Sequence, residues 1–301
     1  MTEIVHQVVE HLWPGRPRQV ERLEGGITNA NYRVAVGDEV VVVRVPGSRT
    51  ELLGIDRPSE AAAARLAAAL GVGPEVVAVV EDPWCLVTRF IEGRPIEPVE
   101  LGAEPMLGHV VDTLKKVHGG GAIPVTFDYF AVIRQYHEVA ARRMVAEPFD
   151  YDAAGAVLDA VAEARPFRPT VLGHNDLLNA NFLYDGEVRI LDWEYAGMTD
   201  PFFDLANLSV NHDFSAAGDD ALLSHYFGRT SPGLSAALTV MKMVSELREA
   251  MWGVVQMAVS ELEVDYVAYA SERAAHFEAL VRATDLTDLL AAAAAAEPPP
   301  P

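Results

Sequence analysis

The chain has 301 residues, 50% of them hydrophobic, so it can bury the core of one large domain or of two ordinary ones. Its 44 acidic residues against 23 basic ones give a formal charge of -21, which excludes the positive footprint that nucleic acid or an anionic membrane requires and suits a small cationic partner. The one cysteine, Cys85, can form no internal disulfide and reads as a small buried hydrophobe in a cytoplasmic protein.

In chain order, the start MTEIVHQVVEHLW is acidic and amphipathic and lacks the basic and apolar regions of a secretory signal. No apolar run approaches the roughly 18 residues of a membrane span. Residues 1–92 read as mainly β with one helix. GGITNANYRVAV and GDEVVVVRVPG predict strand, turn, strand about Gly37 and Asp38. RPSEAAAARLAAALG predicts a helix with proline near its first turn and Gly71 as its stop. EVVAVV and WCLVTRFI follow as two strands around EDPW, and EGRPIEP reads as a linker. From about residue 97 apolar positions recur at spacings of three and four in MLGHVVDTLKKVHG, YFAVIRQYHEVAARRMV and AALTVMKMVSELREAMWGVVQMAVSEL, which predicts helices. The tail, with its alanine run and final prolines, is expected to be disordered. These elements predict an α+β chain of two lobes, β-rich over 1–92 and mainly helical over 93–290, with a tail at 291–301 and the site in the cleft.

The stretch VLGHNDLLNANFLYDGEVRILDWEYAG, residues 171–197, interrupts the helices with short strands and concentrates polar groups between them. Asp185 and Gly186 suit a two-residue turn, which would pair Tyr184 with Glu187 and set Asn181 opposite Ile190. Asp192 would then share a face with Asn181, and one carboxylate with one amide oxygen suits a magnesium ion that keeps water and phosphate as its other ligands. Asp176 stands five residues before Asn181, the interval of the kinase loop in which an Asp takes the substrate proton and an Asn binds metal. Asp176 is thus the candidate base, and Asn181 and Asp192 are the candidate metal ligands. His174 joins this catalytic group as a partner that holds the loop backbone. Asp204, inside a helix capped by Thr199 or Asp200 and begun by Pro201, is expected to accept backbone N–H bonds from the loop.

On HNDLLNAN, ILDWEYAGMTDPFFDLAN and GGITNANYRV, the sequence resembles the choline and ethanolamine kinase family within the aminoglycoside phosphotransferase-like group, over about Leu23 to Phe277. The resemblance implies a protein-kinase-like fold, ATP and Mg2+ as cofactors, and transfer of a phosphoryl group to the hydroxyl of a small cationic alcohol such as choline or ethanolamine. The alternatives are a kinase for an aminoglycoside, thiamine or another amino alcohol, and a nucleotide-binding regulator without chemistry. By the same resemblance Gly25, Gly26, Ile27, Thr28 and Asn29 cover the ATP phosphates. Arg44 stands where protein kinases carry lysine and pairs with Glu60, and the backbone from Val87 to Phe90, including Thr88, docks adenine. Trp252, Tyr266 and Tyr269, with Glu194 and Tyr195 from DWEY, form the expected site for the cationic head group. Val255 stands where eukaryotic members carry a second tryptophan.

Overall fold

The computed structural model describes residues 2–24, 28–260 and 264–296. Helix α1 (Thr2–Leu12) precedes a five-stranded antiparallel sheet of β1 (Arg18–Leu23), β2 (Asn29–Val36), β3 (Glu39–Pro46), β4 (Val76–Glu81) and β5 (Trp84–Arg89), ordered β1-β2-β3-β5-β4. Alternation along the strands divides the labour of the sheet's two faces. Val41, Val43 and Val45 of β3 and Cys85 and Val87 of β5 meet Val5, Val8 and Val9 of α1 in one core. The N-terminal lobe therefore holds two helices rather than the one expected, because the amphipathic start buries its apolar stripe on the sheet.

Arg44 and Leu86 point to the opposite face, toward α2 (Arg57–Ala69), where Leu86 shares a core with Ala63, Ala64 and Ala67. Asp56 caps α2 by accepting from Ser59 N at 2.9 Å, and Gly71, at φ +71°, turns the chain away from its end. Gly37, at φ +62°, supports the expected hairpin, whose register pairs Val36 with Glu39.

The remainder is mainly helical. β6 (Arg94–Pro95), α3 (Pro98–Leu101), α4 (Met106–His118), α5 (Tyr129–Arg143) and α6 (Tyr151–Ala164) lead to β7 (Val171–Gly173), β8 (Phe182–Tyr184), β9 (Val188–Ile190) and β10 (Gly197–Thr199). Then follow α7 (Pro201–Asn211), α8 (Ala216–Phe227), α9 (Pro232–Val259), α10 (Tyr266–Arg282) and α11 (Leu286–Ala294). Helix α9 runs through the middle, packed by α5, α7, α10 and α11, and most of its length is buried. Two expectations change here. The segment read as a linker contains β6, which pairs Arg94 with Tyr184 and Pro95 with Leu183. The tail expected to be disordered from 291 is helical through Ala294, because the alanine run extends α11 and buries Ala293 against the core; residues 297–301 lie outside the described residues. Among the described residues no helix is long and apolar enough to cross a membrane.

Candidate active site

The loop from His174 to Asn181 leaves β7 at Gly173, where a Cβ would stand 2.3 Å from Thr199 Cγ2, so only glycine fits against β10. Helix α7 then fixes the loop backbone. Asp200 caps it by accepting from Phe202 N at 2.9 Å, and one turn inside, fully buried Asp204 accepts from His174 N at 2.8 Å and Asn175 N at 2.7 Å. Asn207, three residues on, accepts from Leu177 N at 2.6 Å. His118 Nε2 lies 3.0 Å from Asp204 and His118 Nδ1 lies 2.6 Å from the Tyr226 hydroxyl, so α4 and α8 brace the same carboxylate. Burial works against the Asp204 charge, but His118 and the loop N–H groups hold its pKa below the ordinary value.

His174 does not open onto the cleft. Its ring is fully buried, its Nε2 lies 2.8 Å from Leu191 O, and its Nδ1 accepts from Asp176 N at 3.3 Å. Burial pushes its pKa down, which favours the neutral ring that this pattern needs. Both ring nitrogens are committed to the loop, so His174 has the backbone-holding role expected of it and is a positioning residue, not a catalytic one.

The hairpin differs from expectation by one residue, and the difference matters for Asp192. Asp185 N bonds Glu187 O at 3.2 Å and Asp185 Oδ1 accepts from Glu187 N at 3.2 Å, with Gly186 at φ +110°, so three residues form the loop rather than two. Tyr184 pairs with Val188 instead of Glu187, Phe182 pairs with Ile190, and Asn181 O accepts from Leu191 N at 2.9 Å. On a continued strand Asp192 would point away from Asn181. A left-handed backbone at Asp192, φ +65°, turns its side chain back to the cleft at a cost of about 1–3 kcal/mol.

Asp176, Asn181, Asp192, Glu194, Tyr195, Trp252 and Tyr269 line one open cavity, roofed by Thr28 and Asn29. Asn181 Nδ2 donates to Asp176 O at 2.9 Å, which leaves its amide oxygen as the free atom. That oxygen and the Asp192 carboxylate are hard donors of the kind magnesium takes, and too few to hold a metal without phosphate and water. Among the described residues no cluster of three His, Cys, Asp or Glu could hold a metal.

Behind Asp192 lies a buried ionic network. Arg44 Nη1 donates to Glu60 at 2.9 Å and to Asp192 at 2.6 Å, while Arg57 Nη1 reaches Glu60 at 2.6 Å and Glu194 at 3.2 Å. Burial opposes the Arg44 charge, yet Asp192 and Glu60 hold its pKa above the ordinary arginine value. Glu194 Oε2 also accepts from Asn29 Nδ2 at 2.8 Å. Glu194 therefore lines the cavity but ties the N-terminal roof to the helical lobe, and burial beside Asp192 pushes its pKa up to about 8.

At the other end, Arg248 of α9 is buried with Nη1 at 3.4 Å from Asp176 Oδ1 and also bonded to Glu249 Oε1, its guanidinium 4.6 Å from the Tyr195 ring centre. Tyr269 donates to Glu249 Oε2 at 2.7 Å, and Trp252 Nε1 donates to the Tyr195 hydroxyl at 3.0 Å. Burial, partly offset by Arg248, raises the Asp176 pKa to about 7. Glu249 is held below the ordinary value: burial opposes its charge, but Arg248, Arg273 and Tyr269 outweigh that.

Other expected residues stand outside this cavity. Tyr266 backs Trp252 edge-on at 6.0 Å with its hydroxyl 2.9 Å from Ser260 Oγ, so its contact with a head group is corrected to support of the wall. Phe90 N donates to Val40 O at 3.0 Å, and Thr88 lies between Val42 and Val76 in the sheet. Arg44 and Glu60 form the expected pair behind the cavity, and Gly25, Gly26 and Ile27 lie outside the described residues. Sequence reading missed Arg57, Arg248 and Glu249. The available signal was SELRE, three charges in an otherwise apolar stretch of α9 that are all buried.

An antiparallel N-terminal sheet followed by a mainly helical remainder is the fold of the protein-kinase-like phosphotransferases. Residues 19–239 match the phosphotransferase enzyme family, and the chain belongs to it and, within it, to the choline/ethanolamine kinase family. A choline/ethanolamine kinase family protein from Mesorhizobium loti is 33% identical, with a TM-score of 0.78, covering 98% of this chain and 100% of that one. A probable ethanolamine kinase of Arabidopsis thaliana is 26% identical, over 83% of this chain and 76% of its own. LicA solved in complex with AMP, at 22% identity and a TM-score of 0.75, covers 95% of this chain and 98% of its own and shows the fold alone.

Proposed function

We propose that the protein transfers the γ-phosphoryl group of ATP to the hydroxyl of a short cationic alcohol of the choline or ethanolamine kind. The observation that carries this reading is the guanidinium nitrogen of Arg248 shared by Asp176 and Glu249. A hydroxyl on Asp176 and a cation drawn to Glu249 then lie on either side of one guanidinium, which suits a short acceptor. Tyr195, Trp252 and Tyr269 surround the cationic end.

In this mechanism Asp176 accepts the hydroxyl proton as the alcohol oxygen attacks the γ-phosphorus and the bond to ADP breaks. Its raised pKa makes it a stronger base than an ordinary carboxylate while leaving much of it ionised at neutral pH. Thr28 and Asn29 cover the phosphates, and Arg44, held by Glu60, keeps a positive charge beside Asp192. Asn181 and Asp192 would hold Mg2+, which when bound neutralises charge on the phosphate oxygens. Adenine meets the backbone after Phe90, where pairing with the sheet ends; the AMP held by LicA supports a nucleotide in this fold. ATP consumption with choline, ethanolamine, thiamine and an aminoglycoside tests the reading: turnover is expected with the two short alcohols, and turnover with the bulky acceptors alone would contradict it.

A further inference from the structure

Resting on the reading of the cleft as an ATP site, we infer that Arg57 is a positioning residue that holds the phosphate roof in place and joins it to the segment carrying Glu194. Pairing between β2 and β3 ends at Asn29 and Pro46, and proline has no N–H to carry the ladder further. The roof lies close against the end of β3, where a Cβ on Gly47 would come within 2.2 Å of Thr28 O. Past the last strand pair the Asn29 side chain takes over. Its Nδ2 donates to Glu194 Oε2 at 2.8 Å, and its Oδ1 accepts from Arg57 Nη2 at 3.3 Å.

The two terminal nitrogens of Arg57 divide their partners by charge. Nη1 donates to two buried carboxylates, Glu60 at 2.6 Å and Glu194 at 3.2 Å. Nη2 donates to two neutral oxygens, Asn29 Oδ1 and, at 3.0 Å, Thr50 Oγ1 in the turn ahead of α2. The guanidinium also lies 5.2 Å from the Trp84 ring centre at the start of β5. One planar group thus ties the roof, α2 and the Glu194 segment together, which an ammonium cannot do because its donors leave from a single point. Arg57 does not line the cavity, so it acts on bound phosphates through Asn29.

The test is binding of AMP, and of a non-hydrolysable ATP analogue with Mg2+, to wild type, Arg57→Lys and Arg57→Met, with melting temperatures and steady-state kinetics on the same samples. Arg57→Lys keeps a positive charge between Glu60 and Glu194 and loses the arm to the roof. Its melting temperature should stay near that of wild type while Kd for the ATP analogue rises by about two- to tenfold, the worth of one hydrogen bond. AMP, which lacks the phosphates under the roof, should bind as it does to wild type. KM for ATP should follow the analogue and KM for the alcohol should hold. Arg57→Met, which also leaves two buried carboxylates without this cation, should lower the melting temperature as well. An unchanged Kd for the analogue in folded Arg57→Lys overturns the inference alone, and so does an equal loss for AMP and the analogue. Wild type that binds neither nucleotide overturns the ATP reading and this inference with it.

Discussion

The catalytic loop and the head-group wall meet at Arg248, yet they are held in different ways. The loop is fixed through its backbone: Asp204 and Asn207, one face of one helix, accept from the N–H groups of residues 174, 175 and 177. The wall is fixed side chain to side chain, across Tyr195, Arg248, Glu249, Trp252 and Tyr269, on a loop and two helices. Backbone anchoring sets the place of Asp176 whatever alcohol enters, whereas the wall's fit depends on each side chain. Damage to the loop should therefore remove chemistry for every acceptor, and damage to the wall should change which acceptor is preferred.

The sharpest break of this contrast is Asp204→Ala, which strands two loop N–H groups and the His118 ring in a buried site. It should cost about 3–5 kcal/mol of stability and abolish turnover, measured by thermal unfolding and by rate. A folded, active variant would show that α7 does not hold the loop. Asp176→Asn comes next: kcat should fall on the order of 10² to 10⁴ with ATP affinity retained, for choline and ethanolamine alike. Near-normal turnover would remove Asp176 from the role of base.

The loop was legible because its parts are close in sequence and of fixed chemistry. Asp176, Asn181 and Asp192 fall within a short stretch, and Pro201 announces the helix that carries Asp204. The register error at Asp185–Glu187 reversed the strand argument for Asp192, and only the left-handed backbone, invisible to a pattern of alternation, restored the side chain to the cleft. The wall was half legible. Trp252 and Tyr269 stood out as aromatics, but Tyr266 shares their chemistry and faces elsewhere, and nothing singled out Arg248 and Glu249, whose burial only the structure reveals. Periodicity tells which face of a helix is buried; it does not tell which buried charges meet across helices.

A smaller effect separates the two regions by pH. Asp176 must be ionised to act, so kcat/KM should rise as pH climbs through about 7. The stability contribution has the opposite sign. A carboxyl whose folded pKa lies above its unfolded value binds its proton more tightly when folded, so stability is lost as pH rises from the ordinary carboxylate range to about 7. Asp176→Asn removes that titration, and its melting temperature relative to wild type should increase over the same window; a constant difference would contradict the raised pKa. The smallest expected effect belongs to the wall. Trp252→Phe keeps an aromatic face and loses the bond to Tyr195, so KM for the alcohol should rise by about two- to tenfold while kcat and ATP affinity hold. A drop in kcat equal for all acceptors would place Trp252 with the loop instead.

The most direct test of phosphoryl transfer to a short cationic alcohol is phosphorus NMR of the wild-type protein incubated with ATP, Mg2+ and choline. The expected spectrum shows ADP together with an equal amount of choline phosphomonoester, and Asp176→Asn forms both more slowly, by a factor on the order of 10² to 10⁴. ATP left intact, or cleaved to ADP and inorganic phosphate with no ester formed, would contradict it.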